Sequence, residues 1–119
     1  MMMSRLLKYF VLSLGLVATS AFADNVRIGF VTTLTTPAGA IGRDMVDAAN
    51  IALDHIGHKM GGKAVEFIVE DDGFKPEIGK QKTDKLVKQD DVQFVTGFIW
   101  SHVLLASRKS ELDGGKFLI

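Results

Sequence analysis

Two rhythms of apolar and polar residues run along this chain, and each change of rhythm marks an element. "NVRIGFVTT", Asn25 to Thr33, is apolar and β-branched with little interruption, which predicts a buried strand. "LTTPAGAIG" follows, where Pro37, Gly39 and Gly42 predict a loop. From Arg43 to His58 the spacing lengthens. Met45, Ala48, Ala49, Ala52, Leu53 and Ile56 fall on one helical face, and Arg43, Asp47, Asn50 and Asp54 on the other. Gly61 and Gly62 predict its stop.

"AVEFIVEDD" reads as a second strand. Val65, Phe67 and Val69 alternate with Glu66, Ile68 and Glu70, so one face is partly polar and the strand belongs nearer a sheet edge. "DGFKPE" is a turn, with Pro76 pre-set for the first turn of a helix. Residues 77 to 89 form a lysine-rich helix anchored by Ile78, Leu86 and Val87. "DVQFVTGFI" is a third strand, and "SHVLLASRKSEL" a third helix with Ser101 at its N-cap. "KFLI" begins a fourth strand. Strands and helices that alternate with crossovers of this length predict an α/β fold, a parallel sheet with helices on both faces.

Composition adds less than the first residues do. Fourteen basic and fourteen acidic residues balance, which gives no reason to expect nucleic acid as a partner. Cysteine is absent, which excludes disulfides and thiolate metal sites. "MMMSRLLKYFVLSLGLVATSAFA" has basic Arg5 and Lys8, an apolar core from Tyr9 to Ala18, and small residues at Ala21 and Ala23. That is the pattern of a cleavable secretory signal over residues 1–23. The apolar core is about half the ~20 residues a spanning helix needs. Cleavage after Ala23 leaves residues 24–119, with a formal charge near −2 once Arg5 and Lys8 are gone, and places the protein in a bacterial periplasm. A parallel strand needs cover on both faces, and none follows "KFLI". Residues 24–119 are therefore expected to be the partial amino-terminal lobe of a longer protein, unable to bind ligand alone.

Several candidate chemistries fail on their own spacing. Asp71 and Asp72 follow a strand, as the acidic residues of a phosphoryl-accepting receiver do. A receiver carries its acidic pair after the first strand and another Asp after the third, where Thr32-Thr33 and Gly97-Phe98-Ile99 stand here. The two aspartates are better read as acceptors for backbone donors in their turn. His55 and His58 stand three apart without an evident third ligand, so no metal is expected. There is no G-x-G-x-x-G after the first strand and no Walker A motif, so no nucleotide cofactor is expected either. Ser101 and His102 are helix neighbours pointing about 100° apart, which is no dyad.

Two loops remain, Thr35 to Gly42 and Ile99 to His102. In a doubly wound sheet of order 2-1-3 they flank one crevice at the switch point, each feeding a helix N-terminus. Unpaired N–H groups and the helix dipole favour an anion there. Ser101, with the N–H groups of residues 101 to 103, is the candidate carboxylate holder. Trp100, the only tryptophan, offers a large apolar face. The competing readings are a plain cap for Ser101 and a core or lobe-interface residue for Trp100.

"VRIGFVTTLTTPAGAIGRDMVDAANIALDHI", "GGKAVEFIVEDDGFKPE" and "FVTGFIWSHVLLA" together resemble the N-terminal lobe of periplasmic leucine/isoleucine/valine-binding proteins, type I solute-binding proteins of ABC importers. The resemblance covers essentially all of the segment after the signal. It implies two α/β lobes closing on a small carboxylate such as a branched-chain amino acid or an aromatic acid. It further implies no enzymatic activity, a membrane permease as partner, and a monomer when full length. A serine just past the third strand holds the carboxylate in such proteins, and Ser101 matches it. Ile41 stands where an aromatic residue often packs on the ligand, and Trp100 where a small residue is usual. Both departures make the wall more apolar, with His102 as a further lining residue. "GFIWSHVLLAS" is similar to members that serve aromatic-compound uptake. The alternatives are a ligand-sensing receptor or regulator on the same fold, and a secreted enzyme whose catalytic residues lie beyond Ile119.

Overall fold

The computed structural model describes residues 24–119; the expected signal segment lies outside them. The elements are β1 (Val26–Thr32), α1 (Gly39–His55), β2 (Lys59–Met60), β3 (Lys63–Asp71), α2 (Pro76–Lys88), β4 (Phe94–Thr96), α3 (Ser101–Asp113) and β5 (Phe117–Leu118). The sheet order is β2-β3-β1-β4-β5. β1 pairs in parallel with β3, from Val26 opposite Val65 to Thr32 opposite Asp71, and with β4, Ile28 opposite Phe94. β5 extends the parallel sheet beside β4. The 2-1-3 arrangement of the predicted strands is therefore present, and β1 lies between the other two.

Alternation along β1 sends successive side chains to opposite faces. Val31 and Val95 meet Leu86 and Val87 of α2 and Val92, with Ile68 and Phe98 against them. α2 and α3 cover this face together, and Gly79 of α2 leaves the space that Val103 of α3 occupies. On the other face Ile28, Phe30 and Phe67 share an apolar hollow of about 370 Å³ with Ala49, Ala52, Leu53 and Ile56 of α1. Ala48, expected on that inner face, is exposed.

Three boundaries differ from the sequence expectation, each for a physical reason. α1 begins at Gly39, not Arg43, because its glycines are contact residues and not loop markers. A Cβ at Gly42 would lie 1.9 Å from the Thr33 carbonyl oxygen, and one at Gly39 2.2 Å from that of Leu34. The first turn of α1 thus sits directly on the loop after β1. The helix stops at His55, ahead of the expected His58. Gly57, with φ 62°, lets its own N–H reach Asp54 O (3.0 Å) and the His58 N–H reach Leu53 O (2.9 Å), a Schellman closure. Gly61 and Gly62 do not stop the helix. Both have positive φ (56° and 77°) and form the two-residue turn between antiparallel β2 and β3, an edge hairpin that the expected four-strand sheet lacks. β4 is also shorter than expected, since the chain leaves the sheet after Thr96.

Candidate functional site

The carboxyl ends of β3, β1 and β4 lie side by side, and buried hydrogen bonds tie their loops together. Thr33, fully buried, donates from Oγ1 to Asp72 Oδ1 at 2.5 Å and accepts from Trp100 Nε1 at 3.0 Å. One hydroxyl therefore joins the loops after all three strands. Asp72 is fully buried as well, and the Phe74 N–H donates to the same Oδ1 at 2.8 Å.

Asp71 makes a second staple. It accepts from the Leu34 N–H (2.8 Å), the Thr35 hydroxyl (2.7 Å) and the Gly73 N–H (2.9 Å). Burial pushes its carboxyl up, but the Leu34 N–H, the Thr35 hydroxyl and the Gly73 N–H together outweigh burial and hold it below the ordinary aspartate range. Both aspartates thus serve donors in their own turn, and they reach across to the loop after β1 too. Arg43 adds a bond from its guanidinium to Leu34 O (2.6 Å). The loops after β1 and β3 each hold a non-glycine residue in the left-handed region, Thr36 at φ 74° and Phe74 at φ 65°. Strain of this kind costs about 1–3 kcal/mol per residue and persists where surrounding structure over-determines it.

The four sequence-predicted site residues part company here. Trp100 and His102 come together, because the Phe74 ring meets both edge-on, with centroids 4.9 and 5.1 Å away. Trp100 is half-buried, with its polar atom spent on Thr33 and its extended backbone (φ −110°, ψ 126°) immediately preceding α3. Ser101 is exposed and is the first helical residue; the N-cap position expected for it falls to Trp100, with no side-chain cap bond. Val103 N–H already bonds the Trp100 carbonyl at 3.1 Å, so residue 103 leaves the expected set of donors. The N–H groups of Ser101 and His102 are the ones left at this turn. Ile41 is exposed on the first turn of α1, and the structure joins Trp100 to the first loop through Thr33 instead.

Thr33 and Phe74 were not singled out by sequence reasoning. Thr33 reads there as the end of a strand, and Phe74 as one residue of a turn. A buried hydroxyl linking three loops is a tertiary fact with no local signature. His58 pairs with Asp54 across 2.7 Å at the end of α1, and among the described residues no cluster of three metal-ligating side chains occurs.

Chemically, this end of the sheet offers an exposed hydroxyl, two N–H groups at a helix start and a wall of three rings, two of them apolar on the exposed side, over a hydrogen-bonded base. That arrangement suits holding a small anion with an apolar body.

The chain matches the sequence profile of the family described as periplasmic binding protein over residues 25–112. It is 34% identical over 114 residues to a Leu/Ile/Val-binding protein of Rhizobium johnstonii, covering 91% of this chain and 31% of the relative. Among solved structures it resembles an ABC transporter substrate-binding protein from Sphaerobacter thermophilus, with TM-score 0.76 and 32% identity, over 80% of this chain and 26% of the other. It also resembles a branched-chain amino acid transporter substrate-binding protein of Streptococcus pneumoniae solved with isoleucine, with TM-score 0.75 and 25% identity, over 80% and 28%. The chain thus spans about a third of the length of its curated relative.

Proposed function

Because this chain belongs to the periplasmic binding protein family, we propose that it forms one side of the cleft of an exported solute receptor that delivers a small carboxylate to an ABC importer. Residues 1–23 are its export signal and residues 24–119 its partial amino-terminal lobe. The receptor is not an enzyme, works as a monomer in the periplasm, and hands its ligand to a membrane permease.

One observation carries the reading. The loops after β1 and β4, on neighbouring parallel strands, are held together by the Trp100–Thr33 bond, which sets the start of α3 at the switch point of the sheet. In an open α/β sheet that is where ligands bind. Ser101 Oγ and the N–H groups of Ser101 and His102 hold the carboxylate, with the positive end of the α3 dipole behind them. Trp100, His102 and Ile41 shape the space for the rest of the ligand. The ligand is a branched-chain amino acid, as the named relatives suggest, or an aromatic acid.

Calorimetric titration of the full-length protein with paired ligands tests the reading. Leucine and benzoate form one set, leucinamide and benzamide the other. Binding of an acid and not of its amide is the expected result. Equal binding of an acid and its amide, or of neither, overturns the carboxylate assignment.

A further inference from the structure

Phe74, which the sequence shows only as one residue of a turn, joins the rings of the cleft. It packs against Trp100 with planes at 88° and against His102 at 82°. In this geometry the positive edge of one ring meets the negative face of another. The residue is 45% exposed, so it is not held there by burial in the core. It is held by its backbone, which adopts a left-handed conformation that side chains with a Cβ rarely take. The Phe74 N–H is fixed on Asp72 Oδ1, the same oxygen that receives the Thr33 hydroxyl carrying Trp100. One buried carboxylate therefore sets the position of both aromatic rings. Trp100 has a single polar atom, and it points inward to Thr33. What it presents to the cleft is π surface alone.

We infer that Phe74 is a specificity residue, selecting with Trp100 and His102 carboxylates that bear an aromatic ring over those with a branched aliphatic side chain. The inference rests on the cleft being the carboxylate site described above. Trp100 immediately precedes the N–H donors of Ser101 and His102. A carboxylate held there brings a directly attached ring to the wall, where it continues the edge-to-face array. A branched aliphatic chain gains burial against the same wall but has no ring edge or face to add. The left-handed backbone at Phe74 is then a constraint that keeps the ring facing the ligand.

The test uses the full-length protein and two probes, benzoate and leucine, titrated into wild type, Phe74→Leu and His102→Ala. Leucine at position 74 keeps most of the apolar volume and removes the ring. Wild type is expected to bind benzoate more tightly than leucine. Phe74→Leu is expected to weaken benzoate by about tenfold and to leave leucine within about twofold, the range expected for losing one or two aromatic contacts. An equal loss for both probes makes Phe74 a structural residue and overturns the inference. A wild type that prefers leucine also overturns it, while leaving the carboxylate-receptor reading intact; binding of neither probe overturns both. Should Phe74→Leu fail to fold, His102→Ala, at an exposed position, is expected to weaken benzoate about threefold more than it weakens leucine. Unchanged benzoate affinity in that variant contradicts the inference.

Discussion

Single atoms decide most of what this site can do. The Thr33 hydroxyl donates to Asp72 and accepts from Trp100 inside the protein. Thr33→Val keeps the shape and removes both bonds, leaving the Trp100 N–H without a partner and Asp72 Oδ1 with only the Phe74 N–H, at a cost of about 1–3 kcal/mol. The accompanying sign is a shift in Trp100 emission, because the indole loses its anchor; a stability loss with unchanged emission contradicts the network. Ser101, exposed at the start of α3, is expected to donate to a charged ligand, so Ser101→Ala weakens carboxylate binding by roughly 10- to 100-fold without changing the unfolding transition. Glu111 is a different case. It is fully buried in α3 with neither carboxylate oxygen bonded, and burial pushes its pKa up to about 7. The folded state therefore holds a proton that the unfolded chain releases near its ordinary value of 4.5. Stability contributed at this position falls as pH rises from 4.5 through 7, by up to about 3 kcal/mol. Urea denaturation at several pH values checks it: Glu111→Gln is expected to flatten that slope, and an unchanged slope contradicts the assignment.

At the scale of elements, the way α1 is seated is the most demanding feature. Its first turn rests on the carbonyls of Thr33 and Leu34, where a methyl at Gly42 has no room. Gly42→Ala is expected to cost about 3 kcal/mol or more. Gly57→Ala, strained only by its positive φ, is expected to cost about 1–2 kcal/mol. Denaturant midpoints rank the two, and the reverse order contradicts the close approach. These glycines also show what the sequence reveals and what it hides. Their presence correctly signals that something happens near residues 39–42 and 57–62, but a glycine demanded by contact looks the same as one demanded by a turn. Hydrophobic period placed every major strand and helix, because burial of alternate or every third-to-fourth residue is a local pattern. The β2–β3 hairpin escaped, since a two-residue strand such as Lys59–Met60 has no period to read. Of the candidate site, the position of Trp100 and Ser101 between a strand and a helix was legible. Thr33 and Phe74 were not, because their roles arise from partners 67 and 26 positions away in the chain.

For the whole molecule, the sheet order brings three loops to one end, and two aspartate-centred staples, one on buried Asp72 and one on half-buried Asp71, hold them there. Asp71 lies below its ordinary range because of bonds made only on folding. Its contribution is present at neutral pH and is lost as the pH falls through that lowered value. The base this gives supports the proposed reading, in which the lobe closes as a body and catches the ligand between its loops and a second lobe. A crystal structure of the full-length protein with its bound carboxylate decides whether the start of α3 is the anion site. Carboxylate oxygens are expected about 3 Å from Ser101 Oγ and from the N–H groups of Ser101 and His102, with the Trp100–Thr33 bond intact. A carboxylate bound away from the start of α3, or a cleft in which the loops after β1 and β4 no longer adjoin, contradicts that expectation.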